Sequence, residues 1–167
     1  METKTVTDPS QVSENFAPDR QETGRPLFLA GLRKSYNCDT RTEIPALWQE
    51  FVPKMDDLSR VDHHVTYGMV FGSGGENDFD YMAAVEVSDT SNMPENFTTV
   101  EIPAHKYAVF VHPGPTSELP ETMDGIFRRW LPTSNAELAL NPDFLEYYGE
   151  QFDPETLTGI EIWVPVK

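Results

Sequence analysis

The sequence predicts an α+β protein built from two β-α-β-β units, with an antiparallel sheet that carries two helices on one face and a ligand groove on the other. Three observations lead to this prediction. Seven segments have the composition of strands, six of them within the two repeats, and two further segments carry apolar residues at helical spacing. The segments follow one order, strand, helix, strand, strand, in both halves of the chain, which indicates an internal repeat. Helices packed on one face of such a sheet leave the other face for loops, a partner or a ligand.

The length of 167 residues suits one domain with a sizeable core. Residues 1–24 are polar and lack apolar periodicity, so we predict a flexible lead-in with room for a short edge strand near its end. Residues 25–167 are predicted to form the single domain, and its two repeats cover about 26–87 and 106–166.

The first repeat opens with the strand LFLAGLR, directly after Pro26. A helix follows, with Pro45 in its first turn, where a missing N–H costs little. Its apolar residues recur at helical spacing: Ile44, Leu47, Trp48, Phe51 and Val52. Residues 64–71 and 79–87 then form two predicted strands joined by a glycine-containing turn.

Side-chain alternation assigns faces to this predicted hairpin. In its first strand Tyr67, Met69 and Phe71 share one face. The second strand has a continuous apolar face, which we expect beneath the helix: Tyr81, Ala83, Val85 and Val87. The remaining side chains of that strand then point to the predicted groove: Met82, Ala84 and Glu86.

The second repeat starts with the strand KYAVFVH, after a short predicted strand at residues 98–102. Its helix carries one apolar stripe: Leu119, Met123, Ile126, Phe127, Trp130 and Leu131. Two strands at residues 143–149 and 159–166 complete the repeat. In the last strand Ile160, Ile162 and Val164 form a uniformly apolar face, which we expect beneath this helix.

The last two strands place carboxylates among aromatic rings. Alternation groups Phe144, Glu146 and Tyr148 on one side of their strand. In the last strand Glu161 and Trp163 lie opposite the apolar face. We expect these carboxylates on the helix-free face, with Glu146 central to the groove. A carboxylate between aromatic rings favours a lipophilic cation. The aromatic candidates for contact with that cation are Trp48, Tyr67, Tyr148 and Trp163.

The charge composition narrows the possible partners. The chain has 28 acidic and 12 basic residues, and its net charge is -16. Such a field repels nucleic-acid phosphates and anionic lipids, so we predict no direct contact with nucleic acid or membrane. No stretch approaches the roughly 20 apolar residues of a membrane span. One cysteine, Cys38, excludes an internal disulfide framework and fits a cytoplasmic protein.

Motifs for metals, nucleophiles and phosphates are weak. Adjacent His63 and His64 would point to opposite faces of a strand, so we predict no metal site there. His105 and His112 lack a nearby Ser or Cys in a nucleophile motif. The glycine-containing turn lacks the Lys and Ser or Thr of a phosphate-binding loop. We therefore expect no cofactor.

Seven stretches, in their order and spacing, carry a resemblance to a known family: LAGLR, EIPALWQEF, YGMVFG, FDYMAAVEV, IPAHKYAVFVHPGP, LPETMDGIFRRWLP and FDPETLTGIEIWVPV. They cover nearly everything from Pro26 to Lys167. The chain resembles the GyrI-like small-molecule-binding domain, which is related to the effector-binding domains of AraC-type and MerR-type multidrug-responsive regulators. The resemblance implies a tandem repeat of β-α-β-β units that encloses a groove.

The resemblance also implies site residues. In regulators of this type, a glutamate before the last strand faces the groove and contacts lipophilic cations between aromatic rings. Glu146 and Tyr148 match this pattern, although Leu145 stands between Phe144 and Glu146 as an apparent extra residue. A bulge near Phe144 would absorb that residue and keep Glu146 facing the groove. The complete predicted ligand-binding set is Glu146, Tyr148, Trp163, Tyr67, Trp48, Phe71, Met82, Ala84, Glu86 and Glu161.

Three functions are compatible with these features. The first is stand-alone binding of hydrophobic, cationic small molecules, as a sensor whose DNA-binding part lies in a separate regulator or as a sequestering protein. The second, implied by the resemblance, is hydrolysis of strained cyclopropane-containing toxins, with Glu146 as general acid or base. The third is modulation of gyrase as a protein partner, which rests on the family name alone.

Overall fold

The computed structural model describes residues 17–37, 39–62, 64–72, 78–89, 93–139 and 142–167. These residues form eight strands in one antiparallel sheet. The strands are β1 (Arg20–Gly24), β2 (Leu27–Tyr36), β3 (Thr66–Gly72), β4 (Phe79–Glu86), β5 (Thr98–Ile102), β6 (His105–Val111), β7 (Phe144–Tyr148) and β8 (Glu161–Val166). The α+β prediction is confirmed.

Two helical segments lie between the strands. Helix α1 (Ile44–Phe51) has Pro45 in its first turn and continues as a 3-10 helix through Val52–Asp57. The second helical segment begins as α2 (Leu119–Asp124), passes through a π-helical stretch (Gly125–Trp130) and ends as α3 (Leu131–Thr133). Of the helices in the described ranges, none is long and apolar enough to cross a membrane.

The strand order confirms the predicted duplication. The strand order across the sheet is β1-β6-β8-β7-β3-β4-β2-β5. Strands at equal distances from the two edges are counterparts in the two repeats: β1 and β5, β6 and β2, β8 and β4, and β7 and β3. An approximate twofold axis therefore passes between β3 and β7. Each repeat also has an outer strand before its β-α-β-β unit, and these are exchanged, because β1 pairs with β6 and β5 pairs with β2.

Two short links make the sheet curl. Arg25 and Pro26 join β1, at one edge, to β2, which is next to the opposite edge. Pro103 and Ala104 join β5 to β6 in the symmetric way. A link of two residues spans at most about 11 Å. The two ends of the sheet must therefore approach each other, and the helix-free face becomes the inside of the curl.

Three apolar cores follow from this geometry. One lies under α1 and includes Leu47, Phe51 and Val85, and another lies under the second helical segment around Ile126 and Ile162. The third fills the inside of the curl. It contains side chains from both ends and the middle of the sheet: Leu29, Tyr67, Met69, Phe71, Met82, Ala84, Ile102, Tyr107, Val109 and Leu145. The faces predicted for β3, β4 and β8 agree with these cores.

The helix-free face is therefore not the open concave surface that the sequence led us to expect. Met69, Met82 and Ala84 have no exposed surface. The curl brings side chains of opposite sheet ends onto one another, and they occupy most of the space that a flat sheet would leave free.

The core under α1 gives a test of this packing. Phe51 is fully buried, whereas Phe28 on β2 is 43% exposed. Phe51→Ala should lower the free energy of unfolding by about 3 to 5 kcal/mol, because it removes buried surface and leaves a cavity. Phe28→Ala should lower it by less than about 1.5 kcal/mol. Urea unfolding of both variants measures the difference, and equal losses would contradict the assignment of α1 to the core.

Candidate ligand-binding site

The Glu146 carboxylate lies at the centre of the sheet, on the face that carries the helices. Strand β7 pairs with β3 on one side and with β8 on the other, which sets Glu146 opposite Gly68 and Ile162. Ile162 belongs to the core under the second helical segment, so Glu146 shares its face. The prediction that Glu146 lies on the helix-free face is wrong, because its neighbour on β8 is Ile162 and not Glu161.

The predicted bulge near Phe144 is also absent. Pairing between β3 and β7 runs without interruption from Thr66 opposite Tyr148 to Val70 opposite Phe144. The apparent extra residue, Leu145, takes a regular place in the strand and points into the core of the curl. Regular alternation then puts Phe144, Glu146 and Tyr148 together on the helix-bearing face, as alternation within the strand predicts.

A short hydrogen-bond network holds the carboxylate. Tyr81 donates its hydroxyl proton to Glu146 Oε1 at 2.6 Å, and Tyr148 donates to the same oxygen at 2.9 Å. Trp48 of α1 donates its indole N–H to the Tyr81 hydroxyl oxygen at 2.9 Å. Among the described residues, both hydrogen bonds to the carboxylate reach Oε1. Oε2 is thus the oxygen available to a ligand.

Gly68 makes room for this network. A side chain at position 68 would collide with the Tyr81 hydroxyl and with Glu146 Oε1. Gly68 and Glu146 form the central pair of the β3–β7 ladder, and each is the third residue of its strand. They are therefore counterparts across the approximate twofold axis. One repeat supplies the carboxylate, and the other supplies the space in which it sits.

Burial dominates the electrostatics of the group. Glu146 is 8% exposed. Loss of hydration raises the pKa of its carboxyl above the ordinary value, and the hydrogen bonds from Tyr81 and Tyr148 offset part of this effect. Burial, together with the nearby carboxylate, also raises the pKa values of Tyr81 and Tyr148 well above their ordinary value. Both hydroxyls thus remain protonated donors at neutral pH.

The carboxylate opens onto an apolar cavity of about 590 Å³ between α1 and the β7–β8 connection. Its wall contains a chain of aromatic contacts. The rings of Trp48 and Tyr148 meet edge to face at 5.4 Å, and those of Tyr148 and Phe152 at 4.9 Å. Among the described residues that line this cavity, Glu146 is the single carboxylate and none is basic.

A second hollow, of about 830 Å³, adjoins this cavity and shares Glu146 and Tyr81 with it. It extends towards the second helical segment, where Arg41 and Arg128 lie in its lining. Together the two spaces form a valley between α1 and the second helical segment, which we call the interhelical valley. Glu146 lies at its floor.

The β7–β8 connection closes one side of the interhelical valley. Phe152, Pro154 and Leu157 line the cavity, and Leu157 is held in a left-handed backbone conformation with φ 58°. The backbone N–H of Thr116, itself in the wall, donates to the Leu157 carbonyl at 3.0 Å. Leu157 is nonetheless 45% exposed, so this wall presents apolar surface to solvent.

Three of the predicted site residues meet in the interhelical valley: Glu146, Tyr148 and Trp48. The structure places the other seven on the opposite face: Trp163, Tyr67, Phe71, Met82, Ala84, Glu86 and Glu161. Phe71, Met82 and Ala84 belong to the core of the curl. Glu86 pairs with Arg25, and Glu161 pairs with Arg20.

Sequence reasoning missed several cavity residues, of which Tyr81 matters most. Alternation along β4 correctly predicts Tyr81 on the apolar face beneath α1, but it predicts no role for the Tyr81 hydroxyl. A buried tyrosine hydroxyl normally needs a hydrogen-bond partner. That requirement was the available indication that a polar group lay nearby. Residues of the distant β7–β8 connection, such as Leu157, offered no comparable indication.

None of the described histidines lines the interhelical valley. Within the described ranges, no three His, Cys, Asp or Glu side chains gather closely enough to hold a metal ion. His63 and Cys38 lie outside the described residues. His112 is buried, with Nδ1 2.6 Å from Thr122 Oγ1, and its Nε2–H donates to the Pro115 carbonyl at 2.7 Å. It ties the end of β6 to the second helical segment.

Because the pKa of Glu146 is raised, ionisation of its carboxyl should lower the free energy of unfolding as pH rises. The pKa of this carboxyl is higher in the folded protein than its ordinary value of 4.5. Such a group stabilises the fold fully at pH values below 4.5, and this contribution is lost as pH rises through the pKa of the folded state. The Glu146→Gln variant buries no charge, so its free energy of unfolding relative to wild type should rise between about pH 4 and pH 8. Urea unfolding across this range measures it.

The matched control is Glu101→Gln on the edge strand β5, where the side chain is exposed. Its stability difference from wild type should stay nearly constant across the same pH range. A Glu146→Gln difference that is equally flat would show that the carboxylate is not destabilised by burial.

Comparison with known proteins assigns the fold to a family. The family model described as Cass2, integron-associated effector binding protein, matches residues 29–166. The transcriptional regulator BrlR of Pseudomonas aeruginosa is 28% identical over 147 residues, which cover 85% of this chain and 53% of BrlR. The chain thus spans about half the length of this curated relative.

Solved structures share the architecture. SAV2435 bound to tetraphenylphosphonium aligns with a TM-score of 0.72 and 20% identity, over 89% of this chain and 93% of SAV2435. An integron cassette protein from the mobile metagenome of Vibrio cholerae aligns with a TM-score of 0.63 and 15% identity, over 89% and 95% of the two chains. The resemblance to GyrI-like effector-binding domains is confirmed, and the chain belongs to the family of integron-associated effector-binding proteins.

Proposed function

We propose that this protein binds hydrophobic cations in the interhelical valley, with the Glu146 carboxylate next to the positive charge. Small-molecule binding is supported by membership of an effector-binding family and by SAV2435, whose structure holds tetraphenylphosphonium. The observation that carries the proposal is a carboxylate that is 8% exposed and lies in the apolar cavity beside α1, where no described lining residue is basic. Arg41 and Arg128 line only the adjoining hollow towards the second helical segment.

The energetics favour a cation at this place. A carboxylate that is removed from water without a counter-charge is destabilised. Tyr81 and Tyr148 supply two hydrogen bonds to Oε1, and these compensate only part of the lost hydration. A bound cation would restore the missing interaction in a medium of low polarity, where the attraction is stronger than in water. The site is thus arranged to gain from a positive charge.

The walls favour a ligand that is lipophilic as well as charged. Edge-to-face contacts hold Trp48, Tyr148 and Phe152 around the cavity. Each ring that faces a cation adds about 0.5 to 2 kcal/mol of attraction. A cavity of about 590 Å³ falls in the range that accepts drug-sized molecules. Size, apolar walls and one carboxylate together define the ligand class.

The cellular role follows from what the chain can contact. The net charge of -16 opposes direct binding of this domain to DNA, so a sensing role requires a DNA-binding part outside this domain, and sequestration of the ligand requires none. A cytoplasmic location stays a prediction. Hydrolysis of a bound toxin by Glu146 remains the alternative, and release of product on a catalytic timescale, in place of stoichiometric binding, would establish it.

Titration with tetraphenylphosphonium tests the binding proposal. Wild type should bind this cation by isothermal titration calorimetry, and Glu146→Gln should bind it about 30-fold or more weakly, because a desolvated charge pair loses one partner. Glu161→Gln is the matched control, since Glu161 lies on the opposite face and pairs with Arg20. Equal weakening by both variants, or no binding by wild type, would contradict the assignment of the valley.

The same titration should depend on pH. Burial raises the pKa of the Glu146 carboxyl, so the carboxylate is lost at a higher pH than that of an exposed glutamate. Affinity for tetraphenylphosphonium should therefore fall as pH is lowered through that raised pKa, and the Glu146→Gln variant should show no such fall. A wild-type affinity that is constant from about pH 8 to pH 4 would argue against the carboxylate as the cation partner.

A further inference from the structure

A separate hollow of about 390 Å³ opens on the helix-free face, where the link between β1 and β2 crosses the curl. It lies on the other side of the sheet from Glu146. Leu145 and Tyr147, which line it, alternate along β7 with Glu146 and Tyr148, which line the interhelical valley. A ligand in this hollow could therefore not touch the Glu146 carboxylate.

Four aromatic rings form one continuous wall of the hollow. Tyr67 meets Tyr147 at 5.6 Å, Tyr147 meets Trp163 at 5.3 Å, and Trp163 meets Tyr107 at 5.4 Å between ring centroids. Tyr147 and Trp163, whose ring planes are inclined by 32°, are partly buried at the edge of the core and line the hollow. The Arg20 guanidinium lies over the Trp163 ring, 5.6 Å from its centroid. Such a wall suits a flat aromatic molecule.

Tyr107 brings a buried hydroxyl to this wall. Tyr107 is 1% exposed, and its hydroxyl has no hydrogen-bond partner among the described residues. Burial raises the pKa of Tyr107 to about 12, so the hydroxyl is a proton donor at neutral pH. Gly24 allows the ring to take this position, because a Cβ at residue 24 would lie 2.6 Å from Tyr107 Cε2. A buried donor without an acceptor is uncommon in folded proteins.

The charges around the hollow are already paired. Arg25 holds the Glu86 carboxylate with two hydrogen bonds, and Arg20 bonds Glu161 at 2.8 Å and Glu22 at 2.6 Å. The Trp163 indole N–H is also occupied, since it donates to Glu161 Oε1 at 2.9 Å. An ionic ligand would have to break one of these pairs. A neutral ligand would leave all of them intact.

We infer that this hollow is a second binding site, for a neutral planar aromatic molecule that carries a hydrogen-bond acceptor directed at the Tyr107 hydroxyl. The ring system of the ligand packs on the wall of Tyr67, Tyr147 and Trp163. The acceptor completes the hydrogen bonding of Tyr107. The site is independent of the proposed cation site, because the sheet separates the two and they share no lining residue.

The test uses 9-fluorenone and fluorene, which have the same planar skeleton and differ in one carbonyl acceptor. Wild type should bind fluorenone about 3- to 10-fold more tightly than fluorene, the worth of one hydrogen bond to a buried donor. In Tyr107→Phe this preference should disappear. Tyr36→Phe, a change to a buried tyrosine in the core under α1, is the matched control and should keep it.

A second measurement locates the ligand in the wild-type protein and needs no variant. The chain has three tryptophans, so three indole N–H signals report on separate places: Trp48 in the interhelical valley, Trp130 in the core under the second helical segment and Trp163 in the hollow. Fluorenone should shift the Trp163 signal selectively. A selective shift of Trp48, no binding up to the solubility limit, or a carbonyl preference that survives in a folded Tyr107→Phe variant would each overturn the inference.

Discussion

The structure depends on one constraint of connectivity, which is that two-residue links join strands at opposite ends of the sheet. Arg25 with Pro26, and Pro103 with Ala104, bring the two ends together and force the curl. The inside of the curl then fills with apolar side chains, and the outside must carry both helical segments. The interhelical valley lies on the outside between these segments, over β3 and β7. The place of the candidate cation site is thus a consequence of how the chain is connected.

The buried Glu146 carboxylate lowers the stability of the fold. A leucine at position 146 would pack against the same apolar neighbours without any loss of hydration. Several features instead serve the charge: the Tyr81 and Tyr148 hydroxyls, the Trp48 indole that orients Tyr81, and the bare backbone of Gly68. These groups come from four different elements, α1, β3, β4 and β7. An arrangement that recruits so many elements around one destabilising group is typical of a functional site.

Much of the fold could be predicted because it follows from patterns within single sequence segments. Alternation within β4 separated Tyr81 and Val85 from Met82 and Ala84 correctly, since facing along one strand needs no knowledge of its partners. The face of Glu146 could not be predicted in this way, because it depends on pairing with Ile162 across a long connection. The position of strand β1 was even harder to predict from the sequence. Its sequence, RQETG, has no apolar alternation, and its place is set by backbone pairing with β6.

The approximate twofold axis, which passes between Gly68 and Glu146, bears on how such a site can arise. A dimer of identical single repeats would place the same residue on both sides of its axis. Two glutamates there would compete for one space and repel each other, and two glycines would leave no charge at all. Covalent fusion of the two repeats removes that symmetry requirement. One repeat can then supply the carboxylate and the other the space beside it, so the proposed binding chemistry depends on both repeats.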